Sequence, residues 1–175
     1  MHRLSSSLVS VLVALSLAGV PMQLEAATAP TAKHDKAAIE ALEQRFADAV
    51  NARDVDAIMK VYAPGATLVV FDVTPPRQYV GAEDYKKDWQ GLFAAFPGPV
   101  KFLITDLQIT TGEMLAYSHS IQDAIFTKKD GTVFHLVVRV TDVYRKSHGH
   151  WLIVHEHVSV PVDLDSLKPD LLSKP

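Results

Sequence analysis

The segment Trp151–Pro161, WLIVHEHVSVP, places three ionisable side chains in a row within a run of residues typical of a β-strand. Successive side chains of a strand point to opposite faces of a sheet, so His155 and His157 share one face and Glu156 lies on the other. The residues in phase with Glu156 are apolar: Leu152, Val154, Val158 and Val160. The opposite face would carry Trp151, Ile153, the two histidines and Ser159. We therefore expect Glu156 to point into the protein and both histidines to point out of it.

Other ionisable groups share the apolar phase of neighbouring strand-like runs. In Thr132–Arg145 the even positions are mostly apolar or aromatic and include Asp142, and Asp72 follows two apolar residues of like phase. A weaker pattern in YSHSIQD adds His119. Burial disfavours the charged form of a carboxyl group, and a nearby carboxylate raises its pKa further. The candidate catalytic set is therefore Asp72, His119, Asp142 and Glu156.

Such a set can hold one base and one neutral acid near pH 7, as proton abstraction beside a carbonyl group requires. This chemistry needs side chains alone, so we predict no cofactor. Two alternatives stay open: the groups form a satisfied buried network, or a strand bulge turns one of them outward. The candidates to line a ligand cavity are Tyr62, Trp89, Tyr117 and Val158.

The face opposite Glu156 carries a second group of polar side chains: Arg139, Thr141, His155, His157 and Ser159. We interpret this group as an oligomer contact face or a secondary site. Two histidines at i and i+2 could both reach one metal ion, but no third ligand has diagnostic spacing. We therefore predict no metal site.

Helical patterns occupy the first half of the chain. Apolar residues recur at helical spacing through AAIEALEQRFADAVNARD, at Ile39, Leu42, Phe46, Ala49 and Val50. Asp54 stands where a helix N-cap would precede VDAIMKVYA, and a strand-like run, ATLVVFDV, follows. A third helix is predicted over AEDYKKDWQGLFAAF, before Pro97.

Strand patterns occupy the second half. The four runs are Val100–Thr111, Glu113–Thr127, Thr132–Arg145 and His150–Val160, and the separators TG, KKDG and KSHG are typical of hairpins. Helices followed by an antiparallel meander predict an α+β fold whose sheet buries one face under the helices.

The N-terminus has the three-part pattern of a secretory signal: Arg3, a short apolar run, then small residues. Cleavage is expected near Ala26, with Ala29 as another option; the alternative is a retained N-terminal anchor. We predict a signal peptide at 1–26, a flexible linker at 27–35, one domain at 36–161 and a tail at 162–175. The protein would be exported, periplasmic or secreted. The net charge of −3 without a basic stripe excludes typical nucleic-acid binding, and the chain has no cysteine for disulfides.

Three segments resemble the NTF2-like superfamily: AVNARDVDAIMKVYAPGATLV, the pair Val80-Gly81, and TDVYRKSHGHWLIVHEHVSVP. That superfamily includes ketosteroid isomerase, SnoaL-type polyketide cyclases and the association domain of calcium/calmodulin-dependent kinase II, which the last segment resembles in its HxHxS pattern. The resemblance covers about residues 36–161. It implies a cone formed by a strongly curved, mainly antiparallel sheet wrapped around N-terminal helices, and a homodimer or higher homo-oligomer.

The resemblance also bears on single residues. Asp142 falls at the position of the oxyanion-hole aspartic acid of ketosteroid isomerase, whereas Phe46 and Val70 replace its tyrosine and its base. The arginines of the association domain's small-acid pocket correspond to His119, Asp142 and Val158. We expect a cone that binds a small, mainly apolar ligand, either as a cofactor-free isomerase, cyclase or hydratase or as a non-catalytic binding or oligomerisation module.

Overall fold

The computed structural model describes residues 29–172 and shows one curved, unclosed sheet that packs against helices from the first half of the chain. The helices are α1 (Ala29–Ala52), α2 (Val55–Met59) and α3 (Ala82–Ala95). The strands are β1 (Val69–Phe71), β2 (Tyr79–Val80), β3 (Val100–Thr111), β4 (Leu115–Thr127), β5 (Val133–Ser147) and β6 (His150–Ser159). The strand order is β2-β1-β6-β5-β4-β3, and only the β1–β6 pair is parallel. The predicted α+β fold with a mainly antiparallel sheet is confirmed.

Helix α1 buries the apolar face that its sequence predicts. Ile39 and Val50 are fully buried, and Phe46 makes edge-to-face contacts with Tyr62 and with Trp89 of α3. The helix ends at Ala52, and the next residue, Arg53, has a positive φ of 59°. These contacts hold α1 against the sheet and α3. Truncating one large core side chain of this kind to alanine costs about 3–5 kcal/mol, which shows how strongly such contacts stabilise the packing.

The start of α1 corrects the predicted flexible linker at 27–35. The helix begins at Ala29, so residues 29–35 are helical. Pro30 is compatible with this start, because proline is tolerated in the first turn of a helix. Buried Asp35 fixes the segment: its Oδ1 accepts from Lys146 Nζ at 2.7 Å and from Trp151 Nε1 at 3.1 Å. The predicted signal peptide lies outside the described residues.

The predicted N-cap of α2 is present: Asp54 accepts a hydrogen bond from the Ala57 backbone N–H at 2.9 Å. The helix ends at Met59, because the backbone then turns so that Ala63 donates to the Ile153 carbonyl of β6. This turn places Tyr62 beneath the sheet, where its side chain is 2% exposed.

A bulge interrupts the alternation of β6. Val143 of β5 pairs with His155 of β6, but the next residue, Tyr144, pairs with Ile153. Val154 is therefore left unpaired. A bulge of this kind places two residues of one strand opposite one of its partner and reverses the phase of the side chains beyond it.

The bulge overturns part of the predicted strand phase. Trp151 and Ile153 are buried, whereas Leu152 and Val154 are half-buried on the opposite side. The prediction that Leu152 and Val154 share the inner face with Glu156 was therefore wrong. Glu156 lies on the other side of the bulge and is buried, as predicted.

Within residues 29–172, no helix combines the length and the apolar character that a membrane crossing requires.

Candidate functional site

Three carboxyl groups meet inside the cone, and each comes from a different element. Glu43 of α1, Asp142 of β5 and Glu156 of β6 are 2%, 1% and 3% exposed. In the sheet, Asp142 is the direct cross-strand partner of Glu156 on one side and of Ser118 of β4 on the other. Antiparallel pairing brings such partners within about 5 Å of each other at Cβ, so the two carboxyl groups are neighbours.

Two tyrosines hold Glu156. Tyr62 Oη donates to Oε2 at 2.8 Å, and Tyr85 Oη of α3 donates to Oε1 at 2.6 Å. Burial raises the pKa of both phenols well above the usual value, so both keep their protons and remain donors near pH 7. Each carboxylate oxygen of Glu156 therefore has a donor, which fixes the direction of this group.

Glu43 has a separate hydrogen-bonded chain. Tyr144 Oη donates to Glu43 Oε1 at 2.7 Å and is itself 2.7 Å from Ser118 Oγ. The sequence interpretation missed Glu43, although a signal was available: it lies four residues after Ile39 and three before Phe46, on the buried face of α1.

Asp142 is only partly satisfied: a side-chain hydrogen bond with Glu156 contributes to its raised pKa. Its Oδ1 is buried and has no hydrogen-bond partner within the described residues. A buried polar atom without a partner costs about 1–3 kcal/mol, so in native proteins such an atom has a specific explanation. Asp142 therefore has hydrogen-bonding capacity that is free for another molecule.

The three carboxyl groups hold protons at higher pH than ordinary carboxyls do. Burial raises the pKa of Glu43 and of Glu156 to about 7, with a partly opposing contribution from their tyrosine donors. Burial, together with the negative charges of Glu156 and Glu43, raises the pKa of Asp142 well above its usual value. No lysine, arginine or histidine among residues 29–172 forms an ion pair with any of them. Near pH 7 the cluster thus contains a neutral acid beside a group that can exchange a proton.

Asp72 lies at the margin of this cluster. It is half-buried just after β1, and its Oδ1 accepts the backbone N–H of Val73 at 2.6 Å. Burial, followed by the charge of Asp88, raises its pKa, and its own charge contributes to the raised pKa of Glu156. Asp72 is therefore electrostatically linked to the cluster that the sequence predicted it would join.

His119 and Tyr117 do not belong to the interior. Both are exposed on the outer face of β4, and the inward positions on either side of His119 are Ser118 and Ser120. The predicted inward placement of His119 and the cavity-lining role of Tyr117 were wrong, because the polar inward residues of β4 hid the phase of the strand. The other predicted lining residues are inside or in phase with the inside: Tyr62 and Trp89 are buried, and Val158 is half-buried.

The outer face carries the predicted second group of polar residues. Arg139, Thr141 and His157 are exposed, and His155 and Ser159 are half-buried. Phe71 of β1, 37% exposed, packs edge-on against both histidine rings, with centroids 5.0 Å from His155 and 5.6 Å from His157. His155 Nδ1 donates to the Val69 carbonyl at 2.8 Å. No cluster of three potential metal ligands occurs within residues 29–172.

Two cavities lie near these groups. One, of about 450 Å³, is lined by residues of β3, β4 and β5, which include the buried residues Ser120 and Val140 as well as Asp106, Gln108, His119, Ile121, Arg139 and Thr141. The other, of about 350 Å³, lies between α2 and α3 and includes Tyr62, Lys86 and Asp56. Lys86 Nζ and Asp56 Oδ1 form an ion pair at 2.7 Å across this cleft. Tyr62, which donates to Glu156, also lines this second cleft.

Comparison with known proteins gives a consistent family match. The family model of the SnoaL-like domain matches residues 39–163. An NTF2-like protein of unknown function from Pseudomonas putida KT2440 has a TM-score of 0.73 at 28% identity, covering 82% of this chain and 98% of that one. No curated protein matches the sequence.

Two further solved structures show the same fold at lower identity. A putative scytalone dehydratase from Novosphingobium aromaticivorans has a TM-score of 0.68 at 18% identity, covering 76% of this chain and 88% of its own. The association domain of the C. elegans calcium/calmodulin-dependent kinase II has a TM-score of 0.59 at 18% identity. The match covers 74% of this chain and 98% of that domain. The fold is thus common to a protein named for catalysis and to one named for assembly.

Proposed function

The chain belongs to the SnoaL-like domain family within the NTF2-like superfamily, and on that basis we propose that its cone binds a small, mainly apolar ligand and carries out cofactor-free acid/base chemistry. The observation that carries the proposal is the buried pair formed by Asp142 and Glu156 on adjacent strands. Isomerisation, cyclisation and hydration or dehydration beside a carbonyl group all use such a pair.

Each member of the pair has a distinct role in this proposal. Asp142, neutral at pH 7, donates a hydrogen bond to the carbonyl oxygen of the ligand through Oδ1, the carboxyl oxygen that has no partner within the described residues. Glu156, oriented by Tyr62 and Tyr85, accepts a proton from the carbon beside that carbonyl. The C–H electron pair moves into the enolate, whose oxygen Asp142 stabilises. Return of the proton to another carbon, or loss of a β-hydroxyl as water, completes the reaction.

Asp72 is the second candidate base, because it is linked electrostatically to Glu156. Glu156 is favoured because it is the direct cross-strand neighbour of Asp142, whereas Asp72 lies beyond the end of β1 and is bonded to its own turn. The cleft beside Tyr62 supports ligand access to this end of the cone.

Exchange of carbon-bound hydrogen tests the proposal before a physiological substrate is known. A panel of cyclic ketones in D₂O would be followed by NMR for loss of the protons beside the carbonyl. We expect wild type to accelerate exchange, Glu156→Gln to lower this rate roughly 10²–10⁴-fold and Asp142→Asn roughly 10²–10³-fold. The control is Asp123→Asn, which changes a half-buried carboxyl on the outer face. Equal exchange by wild type and both interior variants would contradict the proposal.

A non-catalytic oligomerisation module is the alternative, and the outer face favours it. Phe71, Tyr117 and Leu103 are 37%, 49% and 59% exposed on this face. Burying such side chains against a second copy of the chain is favourable at about 25 cal/mol per Å². Native mass spectrometry gives the subunit count and any bound organic mass together: a ligand-free homo-oligomer without exchange activity supports this alternative.

We also propose that residues 1–26 are a signal peptide and that the mature protein is exported. The supporting feature is the sequence pattern of Arg3, a short apolar run and small residues near Ala26. Intact mass of the protein from the periplasm or the medium is expected to match a start at Ala27. Intact protein that retains Met1 and stays in the cytoplasm would contradict export.

A further inference from the structure

The inner face of β4 is unusually polar for a strand that lies over a core. Ser118, Ser120 and Gln122 alternate on it and are 0%, 4% and 6% exposed. Ser118 is paired with Tyr144, but Ser120 Oγ and Gln122 Nε2 have no hydrogen-bond partner within the described residues. These two groups are used neither by the carboxyl cluster nor by the fold.

A third unpartnered group comes from the helix on the opposite wall: Trp89 Nε1 of α3 is buried without an acceptor. Two contacts align α3 with the cone. Tyr85 is bonded to Glu156 at the carboxyl end, and Phe96 packs on Phe126 of β4, with ring centroids 5.6 Å apart, at the other end. Trp89 lies between these contacts, about 6 Å along the helix from Tyr85 at 1.5 Å per residue.

The positions of the two unpartnered groups on β4 can be estimated in the same way. Asp142 is level with Ser118, and strand geometry places Ser120 about 7 Å and Gln122 about 13 Å farther along β4. Phe126 is four residues beyond Gln122. The three unpartnered groups therefore lie between the carboxyl end and the aromatic end of the cone.

The chemistry of these three groups determines which ligand atoms could bind them. An indole N–H can only donate, a side-chain amide nitrogen only donates, and a serine hydroxyl can donate. All three are satisfied by oxygen acceptors of a ligand. An anion is disfavoured, because the nearest buried titratable groups are carboxyls and no positively charged side chain among residues 29–172 forms an ion pair with them.

We propose that Trp89, Ser120 and Gln122 form a second polar subsite, which binds an acceptor oxygen at the far end of a neutral, ring-containing ligand whose first oxygen lies at Asp142. This inference rests on the proposed ligand site in the cone and extends it by a rule of specificity: the preferred ligands have two oxygens, one at each end of an apolar ring system. The subsite orients the ligand along β4, so that its reactive end faces Glu156.

The first test measures stability without ligand. Gln122→Met keeps the shape of the side chain and removes an unpaired buried donor, so the melting temperature is expected to rise by roughly 2–8 °C. The matched control is Gln108→Met on the exposed outer face of β3, which is expected to change it little. A lowered melting temperature for Gln122→Met would show that the amide has a structural partner and would overturn the subsite. If Gln122→Met does not fold, Ser120→Ala replaces it, with the same expectation.

The second test compares two fluorescent probes, 2-naphthol and 2,6-dihydroxynaphthalene, which differ only in the oxygen at the far end. Wild type is expected to bind the diol roughly tenfold more tightly than 2-naphthol, and Gln122→Met is expected to lose that preference. Equal affinity of wild type for both probes would overturn the subsite and leave the ligand site intact. If wild type binds neither probe, the proposed ligand site in the cone is contradicted, and the stability test alone decides whether the buried donors lack partners.

Discussion

Replacing Glu43 by glutamine tests the electrostatics of the cone without removing a hydrogen-bond acceptor. Glutamine Oε1 can still accept from Tyr144, but it cannot ionise. The variant is expected to lose stability less steeply than wild type as the pH rises, because the cost of ionising a buried carboxyl is gone.

The sign and size of the effect follow from the raised pKa. Glu43 has a pKa of about 7 in the fold against 4.5 as its ordinary value. The folded protein therefore binds more protons than the unfolded chain between these values, so this contribution to stability is complete below pH 4.5 and is lost as the pH rises through 7. Integrated from pH 5 to pH 8, the loss is about 2–3 kcal/mol for this one group. Removing its charge also eases ionisation of Asp142 and Glu156, so the variant should gain at least this much relative to wild type.

Urea unfolding at fixed protein concentration, followed by tryptophan fluorescence, measures the difference. The free energy of unfolding of wild type is expected to fall between pH 5 and pH 8 by about 2–3 kcal/mol more than that of Glu43→Gln. Glu40→Gln is the matched control, because Glu40 is exposed on the same helix, 4.0 Å from Lys36. Parallel pH dependence of wild type and Glu43→Gln, or an equal effect of Glu40→Gln, would refute the reasoning.

Three further results are expected. Tyr62→Phe removes a donor to the Glu156 carboxylate and should destabilise the fold by about 1–3 kcal/mol, more at pH 8 than at pH 5, in the same urea assay; a larger loss at pH 5 would contradict this. Lys146→Met removes the lysine ion-pair partner of buried Asp35, which keeps only its Trp151 donor, and should cost about 1–3 kcal/mol, whereas Arg145→Met beside it should cost little. If the outer face joins subunits, Phe71→Glu should yield monomers in native mass spectrometry, and an unchanged subunit count would exclude this face.

Much of the fold could be predicted from the sequence because the apolar periods are long and regular. The buried face of α1 and the even positions of β5 repeat over several turns or pairs, so neighbouring residues confirm the phase. Asp142 was placed correctly inside the cone for this reason, whereas Glu156 was placed correctly although the phase predicted for the first half of β6 was wrong.

The wrong predictions of strand phase have local causes. The bulge at Val154 reverses the phase of β6, and a single extra residue leaves no mark on composition. On β4 the inward serines and Gln122 look like surface residues, so His119 was placed on the wrong face. Polar side chains turned inward carry no hydrophobic signal, although they are the features of the interior that are most informative about a ligand.

The central claim is that Asp142 and Glu156 form a proton-sharing pair at neutral pH. It is tested most directly by ¹³C NMR of the Asp and Glu carboxyl carbons across pH 3–9, with resonances assigned from Asp142→Asn and Glu156→Gln. We predict that Glu156 titrates near pH 7 and that Asp142 is still protonated there. Ionisation of both groups between pH 3 and pH 5 would contradict the account.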